Sequence, residues 1–457
     1  MNEPSKALLA GALCAALAGM APPVHGALQD IHPPDPEHAT ELAPATATLD
    51  LERSVAMAVA WHPSVRSAAS HALEAGDYID VARAGYLPQV RAGLSSEHGN
   101  RNVPGYNSRQ AHRFVVSASQ MLYDFGRTGS AVDRARADRT AAQARVLLAV
   151  DELAQDTAQA WIEVRRYEQL QQIAREQTQG VKAIADLVRM RRSKGASPLS
   201  DEMQAQAREE AARAFELEAS AQLERWRVQL RQLTGLTAVP VIGGGMPPAI
   251  AQACFVRADA AQPAAVLVAR AEARAAQASV DNARAQTRPT LSLDGSIGRG
   301  MDADSRIGDS HDATIMLNVS APLYQGGGNV ARQRAAGHVL GAAEAAVDNA
   351  HLASRQLLHD ARAQAAGKAQ RSGVLDDRVA SLAQTRNLYR QQYLDLGTRS
   401  LLDLLNAEQE YQQARLEQAN NRHDLARLKV DCLYATGRLR ETFALDGRQV
   451  AGLELRP

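Results

Sequence analysis

The pentapeptide Leu122-Tyr123-Asp124-Phe125-Gly126 returns later in the chain as Leu323-Tyr324-Gln325-Gly326-Gly327, an offset of 201 (323 − 122). The landmarks around it return as well. Ala82-Arg83-Ala84 with Pro88 recurs as Ala283-Arg284-Ala285 with Pro289 at the same offset. Gly195 with Asp201 recurs as Gly397 with Asp403, and Thr234-Gly235 as Thr436-Gly437, both at 202 (403 − 201; 436 − 234). Landmarks that keep one order at one spacing mark a duplicated structural unit. The chain is read as two copies of that unit, residues 51–235 and 263–440, joined by a Gly- and Pro-rich linker over 236–262 and followed by a tail over 441–457.

Each unit reads helix, strand, strand, long helix, break, returning helix. In the first, residues 51–83 have helical character, interrupted at His62-Pro63, and Pro88 prevents its continuation. A hairpin over about 88–123 follows, with a polar turn over 99–108. Phe114, Val116, Ala118 and Leu122 share one face, and Ser117 and Ser119 the other. The second hairpin, about 289–324, alternates more cleanly. Leu291, Leu293 and Ile297 oppose Ser292, Asp294 and Ser296; Ile315, Leu317, Val319 and Leu323 oppose Thr314, Asn318 and Ser320; a polar turn lies over 300–309. Residues 127–193 contain no proline and two glycines, Gly129 and Gly180. As one helix they extend about 100 Å. Residues 329–396 are the counterpart. Each long helix meets a break, Lys194-Gly195-Ala196-Ser197-Pro198 or Gly397-Thr398-Arg399, and folds back as an antiparallel helix hairpin.

Composition agrees with this plan. Aromatic residues are 4% of the 457, and Ala, Gln, Arg, Leu and Glu dominate long stretches, as in long packed helices. With 51 basic and 51 acidic residues there is no charge excess to suggest nucleic acid as a partner. Residues 1–26 read as a secretory signal, with Lys6 before the apolar run from Ala7 to Ala21. Leu13 before Cys14 argues against a lipoprotein signal. Residues 27–50 look irregular. No later apolar run reaches the roughly 18 residues of a membrane-spanning helix. Cys254 and Cys432 lie far apart and read as incidental packing rather than a disulfide.

An exported chain with two membrane-sized hairpins cannot leave four strands open in a bilayer, because each unpaired edge group costs several kcal/mol. Three copies supply twelve strands, within the range of outer-membrane barrels. The polar alternate face then lines water. The helices cannot be covered by one chain either, and bury their narrow apolar stripes side by side. The expected fold is mainly α with a β-barrel part: a homotrimeric 12-stranded outer-membrane β-barrel continued by a long periplasmic α-helical barrel.

Over essentially the whole mature chain this pattern resembles the TolC family of outer-membrane efflux and secretion ducts. The resemblance is carried by Leu87-Pro88-Gln89-Val90 opening the first strand, by the two pentapeptides, and by the breaks from Gly195 to Asp201 and from Gly397 to Asp403. It implies a homotrimer that works with a periplasmic adaptor and an inner-membrane ABC or proton-driven transporter, and a closed periplasmic tip made by the helix turns. It implies that Asp403 projects into the pore, where three copies form a carboxylate ring favouring cations. The family's second acidic position is Asn406 here, which leaves one ring. It also implies that Arg399 and Asp201 hold the tip closed. Read as residues alone, Asp403 also suits a helix start, and Arg399 and Asp201 also suit a solvated surface. Tyr123 and Tyr324 read either as anchors at the membrane–water boundary or as core residues.

No catalytic constellation is present. The twelve histidines form no HExxH, and there is no P-loop, dinucleotide fingerprint or GxSxG. Neither a cofactor nor a metal is expected, and the chain is not read as an enzyme. Two classes of function remain: a passive duct for protein secretion or small-molecule efflux, and a non-conducting trimeric coiled-coil scaffold or adhesin. Without a lipid anchor the duct reading leans towards secretion of a large, toxin-like polypeptide.

Overall fold

The computed structural model describes residues 48–98, 110–238, 241–255, 262–300 and 311–455. The signal over 1–26, residues 27–47 and both polar hairpin turns lie outside the described residues. The first repeat runs α1 (Leu51–Trp61), α2 (Pro63–Arg83), β1 (Gln89–His98), β2 (Gln110–Tyr123), α3 (Arg127–Ser193) and α4 (Leu199–Thr234). After a short helix, α5 (Pro248–Ala251), the second runs α6 (Ala264–Ala285), β3 (Thr290–Gly300), β4 (His311–Ser320), α7 (Gly328–Gln391) and α8 (Leu401–Thr436). A π-helical turn, Gln392–Leu396, links α7 to the break, and α9 (Leu439–Thr442), β5 (Gln449–Val450) and β6 (Leu453–Glu454) complete the chain.

Glycines in the left-handed region punctuate both repeats at the same places. Gly126 (φ 87°) precedes α3 and Gly327 (φ 80°) precedes α7; Gly235 (φ 72°) closes α4 and Gly437 (φ 73°) closes α8. The last pair is demanded by space as well as by φ. A Cβ on Gly235 would lie 2.3 Å from the Trp61 ring, and one on Gly437 2.3 Å from the Gln262 carbonyl oxygen. Each closing helix therefore ends hard against the start of a unit.

β1 to β4 form one antiparallel sheet in sequence order. Two of the expected face assignments shift. A bulge between Met121 and Tyr123 takes Leu122 off the apolar face and sets Tyr123 opposite Leu291. β4 ends at Ser320, so Leu323 and Tyr324 lie beyond it, 94% and 86% exposed. Tyr123 is exposed too and stacks edge-on against Phe125 at 4.6 Å, so neither tyrosine is a core residue within the chain.

The helices sit side by side. α3 packs on α2 and α6 in its first half, and on α4 and α8 in its second; α7 packs on α6 and then on α8. α3 is thus flanked along its whole length and buries a continuous series from Val132 to Val188. α7, its repeat equivalent, buries only Ala361, Ala365 and Leu375.

The main core lies where the two repeats and the linker meet. Leu51, Val55, Trp161, Leu230, Ile250, Leu433, Leu439 and Leu445 are all buried there. Leu49 bridges to Ile242, and the linker then carries Cys254 to Cys432 of α8, with which it forms a disulfide. This corrects the reading of the cysteines as incidental packing. Sequence separation hid the pair, because only folding of the linker onto α8 brings their Cα atoms to 5.3 Å. The C-terminal segment is drawn into the same belt by a fully buried ion pair between Arg440 and Asp151. Burial pushes the Asp151 carboxyl up to about 7, against the pull of the Arg440 guanidinium.

The disulfide closes a loop across 178 residues. Replacing both cysteines by alanine is expected to destabilise the protein by about 2–5 kcal/mol. The heating midpoint of the purified protein checks this, and an unchanged midpoint would show that the belt holds without the cross-link.

Candidate functional site

The sheet has two chemically distinct faces, and strand register defines them. Val90, Ala118, Gly295 and Ile315 share a row, as do Ala92, Val116, Ile297 and Ala313, and so on to Leu293 with Leu317 and Leu291 with Val319. Every position on this face between these rows is apolar apart from Gln120, and Val90, Leu94, Phe114, Val116, Ile315 and Leu317 are exposed. The alternate face carries Arg91 with Ser117, Ser296 and Thr314, then Ser119 with Asp294, then Ser292 with Asn318. Such a sheet suits hydrocarbon on one side and water on the other.

The polar face is internally bonded. Ser119 donates to Asp294, which also accepts from Ser292 Oγ at 2.9 Å. Arg113 of β2 reaches over β3 to pair with Asp312 of β4. It passes above Gly298, where a Cβ would lie 2.7 Å from the Asp312 carboxylate and 2.8 Å from the Arg113 guanidinium. Glycine in β3 is what lets this ion pair cross a strand.

The second part of the site is the far end of the two helix hairpins. Ser400 caps α8: its Oγ accepts from Asp403 N at 3.1 Å, and its own N–H donates to Asp403 Oδ2 at 3.4 Å. Asp403 therefore has the helix-start role weighed from its sequence. Arg399 donates to Gln392 Oε1 at 3.1 Å, stands 4.4 Å over the Tyr389 ring and lies 3.9 Å from Asp403. Asp201 lies in the first turn of α4. Among the described residues no ion pair joins it to Arg399 within the chain. Asn406 faces the other hairpin, 3.5 Å from Arg208, which also donates to Gln409 Oε1 at 2.5 Å.

Sequence reasoning missed Tyr393 here. It is buried in the π-helical turn with Ile184, Val188, Ala205, Leu401 and Leu404, so that both hairpins meet on it. Arg191 stands 4.8 Å over its ring and donates to its carbonyl at 3.4 Å. No local signal marks such a tyrosine, since a single aromatic near a break reads as an ordinary helix residue.

Between belt and tip, the seam of α3 against α8 joins a small apolar cluster of Leu170, Ile173 and Ala419 to a series of polar contacts. Asp431 accepts from Gln155 and Gln159, both at 2.8 Å; Asp424 pairs with Arg166 and, at 2.5 Å, with Lys368; Arg427 lies 3.2 Å from Glu163, and Arg415 2.6 Å from Glu176. His423 contacts Gln169 Oε1 at 3.0 Å.

A four-stranded sheet with a lipid face and a water face, open at both edges and continued by helices about 100 Å long, is the protomer of an outer-membrane channel. Among the described residues no helix is long and apolar enough to cross a membrane. The profile of outer membrane efflux proteins matches the chain over residues 55–236 and 259–437, once per repeat, and the chain belongs to that family. It is 28% identical to protein CyaE of Bordetella pertussis over 67% of each chain. It is 25% identical to outer membrane protein TolC of Escherichia coli, over 83% of this chain and 80% of that one. The CmeC outer membrane channel of Campylobacter jejuni has the same fold, with a TM-score of 0.73 at 18% identity, covering 89% of this chain and 87% of that one. The chain is therefore a non-enzymatic efflux channel of the outer membrane that extends into the periplasm, in a family whose channels form trimers in tripartite systems.

The seam yields a pH prediction. Burial, with Arg166 and Arg165 beside it, pushes the His423 imidazole down to about 4 from 6.5, while Asp424 pulls the other way. The folded protein keeps it neutral where the unfolded chain would protonate it. Its contribution is intact above pH 6.5 and is lost as pH falls towards 4. Unfolding midpoints across that window should slope less in His423→Gln than in the parent; equal slopes would remove His423 as the cause.

Proposed function

We propose that three copies of this chain close head to tail into a twelve-stranded barrel continued by a cylinder of helices, and that this duct passively exports cargo delivered by an inner-membrane ABC or proton-driven transporter through a periplasmic adaptor. The observation that carries the reading is that two kinds of incompleteness fall on the same two flanks. One flank is the free edge of β1, with α2 presenting exposed Leu73, Tyr78 and Val81. The other is the free edge of β4, with α7 presenting exposed Val330, Val339 and Leu352. Pairing the first flank with the second of the next copy satisfies strands and helices in one operation, and rotation closes the ring. Heat-resistant trimers in outer-membrane fractions, with single-channel conductance in planar bilayers, test it. A non-conducting assembly would favour the scaffold or adhesin reading instead.

At the tip, Arg399 and Asp201 hold the closed state through contacts between neighbouring hairpins, and three copies of Asp403 form the cation-favouring ring. Arg399→Ser and Asp201→Ala are each expected to raise conductance about severalfold, since each removes a charged contact. Unchanged conductance in both would remove the gating role. Asp403→Ala is expected to weaken cation selectivity in reversal potentials, and equal selectivity would count against the ring. The cargo is a secreted polypeptide or small molecules. Co-expression with a polypeptide-exporting ABC transporter or with a proton-driven drug pump, reading secretion and drug tolerance, separates the two.

A further inference from the structure

Where the sheet meets the helices there is a cavity of about 590 Å³. It is lined by Arg127 from the start of α3, Gln286 just past α6, Thr290 of β3, and Asn329 and Arg332 from the start of α7. Thr290 is in register with Ser320, which also lines it. Both belong to the polar face of the sheet, two residues before Ser292 and two after Asn318. The cavity therefore lies on the water side, and in the closed barrel it faces the lumen at the junction of strands and helices. All of its lining comes from one chain, so each copy carries one.

Its charge is one-sided. Among the described residues no carboxylate lines it. The Arg127 guanidinium has neither a hydrogen-bond nor an ion-pair partner among the described residues. Arg332 donates to the neutral Asn329 Oδ1 at 2.6 Å and has no ion pair among them. The duplication shows what is missing. In the first repeat Asp124 spends its carboxylate on the N–H groups of Gly126 and Thr128. Its equivalent, Gln325 (325 − 124 = 201), lines the cavity and carries no charge. The duplication does not require the arginines either, since their counterparts are Gly328 (127 + 201) and Ala131 (332 − 201). Two cations thus share a polar cavity that holds no counter-charge, an arrangement that an anion from outside would relieve.

We propose that this cavity binds a small organic anion, a carboxylate or phosphate carried on a hydroxyl-bearing body. The guanidinium groups engage the oxyanion through paired N–H donors. The side-chain amides of Gln286, Gln325 and Asn329 and the Thr290 hydroxyl serve the ligand's hydroxyls. The volume falls in the range of small-molecule sites. Only the cavity's place in the lumen rests on the duct reading; there, three copies form a ring of stations past which an anionic small-molecule cargo travels. The Asp403 carboxylates lie at the far end of α7, about 100 Å away, beyond the reach of screened charge.

Isothermal titration calorimetry of the full-length channel in detergent provides the test, with glucose 6-phosphate, glucuronate, glucose and inorganic phosphate as probes. Both sugar anions are expected to bind about tenfold more tightly than glucose. The double variant Arg127→Gln, Arg332→Gln is expected to remove that preference. Gln325→Asp, which puts the first repeat's carboxylate beside the arginines, is expected to weaken both anions about tenfold and leave glucose unchanged. Equal binding of glucose and the sugar anions by the parent overturns the proposal, as does an undiminished preference in the double variant. Inorganic phosphate binding as tightly as glucose 6-phosphate would make the cavity a free-oxyanion site and overturn it too. Should the double variant fail to assemble, Gln325→Asp decides, and anion binding undiminished there is a refutation. The titration needs neither a partner protein nor conductance, so its failure is distinct from failure of the duct.

Discussion

A strand edge in hydrocarbon has nowhere to place its N–H and C=O groups, and this chain carries two such edges. β1 and β4 bound a sheet whose outward side is apolar through most of its height. In water an edge of this kind is a liability that solvent satisfies; in a bilayer it is a cost of several kcal/mol per group. The rest of the architecture follows from it. The sheet must find a partner edge, the helices beneath must keep the same angular order as the strands, and the two flanks of a protomer must be complementary.

The two long helices show what that demand does to sequences of one origin. α3 sits inside the protomer and buries Val, Ile, Leu and Trp161 along its length. α7 occupies the equivalent place in the second repeat but lies at the flank, and within one chain it is almost bare. Duplication supplied the same long helix twice; position in the row gave the copies different surfaces. The seam between α3 and α8 adds a second contrast. It combines charged and amide contacts with the apolar cluster of Leu170, Ile173 and Ala419.

The largest apolar core is the belt where α1, α3, the linker, α8 and the C-terminal segment meet. The Cys254–Cys432 disulfide and the buried Arg440–Asp151 pair both sit there. A disulfide is at home in the oxidising periplasm that the outer-membrane location implies. Residues that look like a linker and a tail in the sequence thus fasten the middle of α3 and the closing ends of α4 and α8, while the tip hangs from Tyr393, Arg191 and a small apolar cluster.

Much of this was written locally. Proline, glycine and unbroken helical composition delimit α1, α2 and α3 at the residues where the structure ends them, because capping and chain breaking act over a few residues. Strict alternation identified both faces of β3 and β4, because a strand exposes successive side chains to opposite sides. The sequence by itself therefore determined the repeat, the elements and the chemistry of each face. Tertiary structure alone decided the disulfide, the bulge that displaces Leu122, the Arg113–Asp312 pair above Gly298 and the burial of Tyr393. Each depends on which distant segments stand side by side and in what register, and register is a property of the assembled sheet and helix row that no local run of residues encodes.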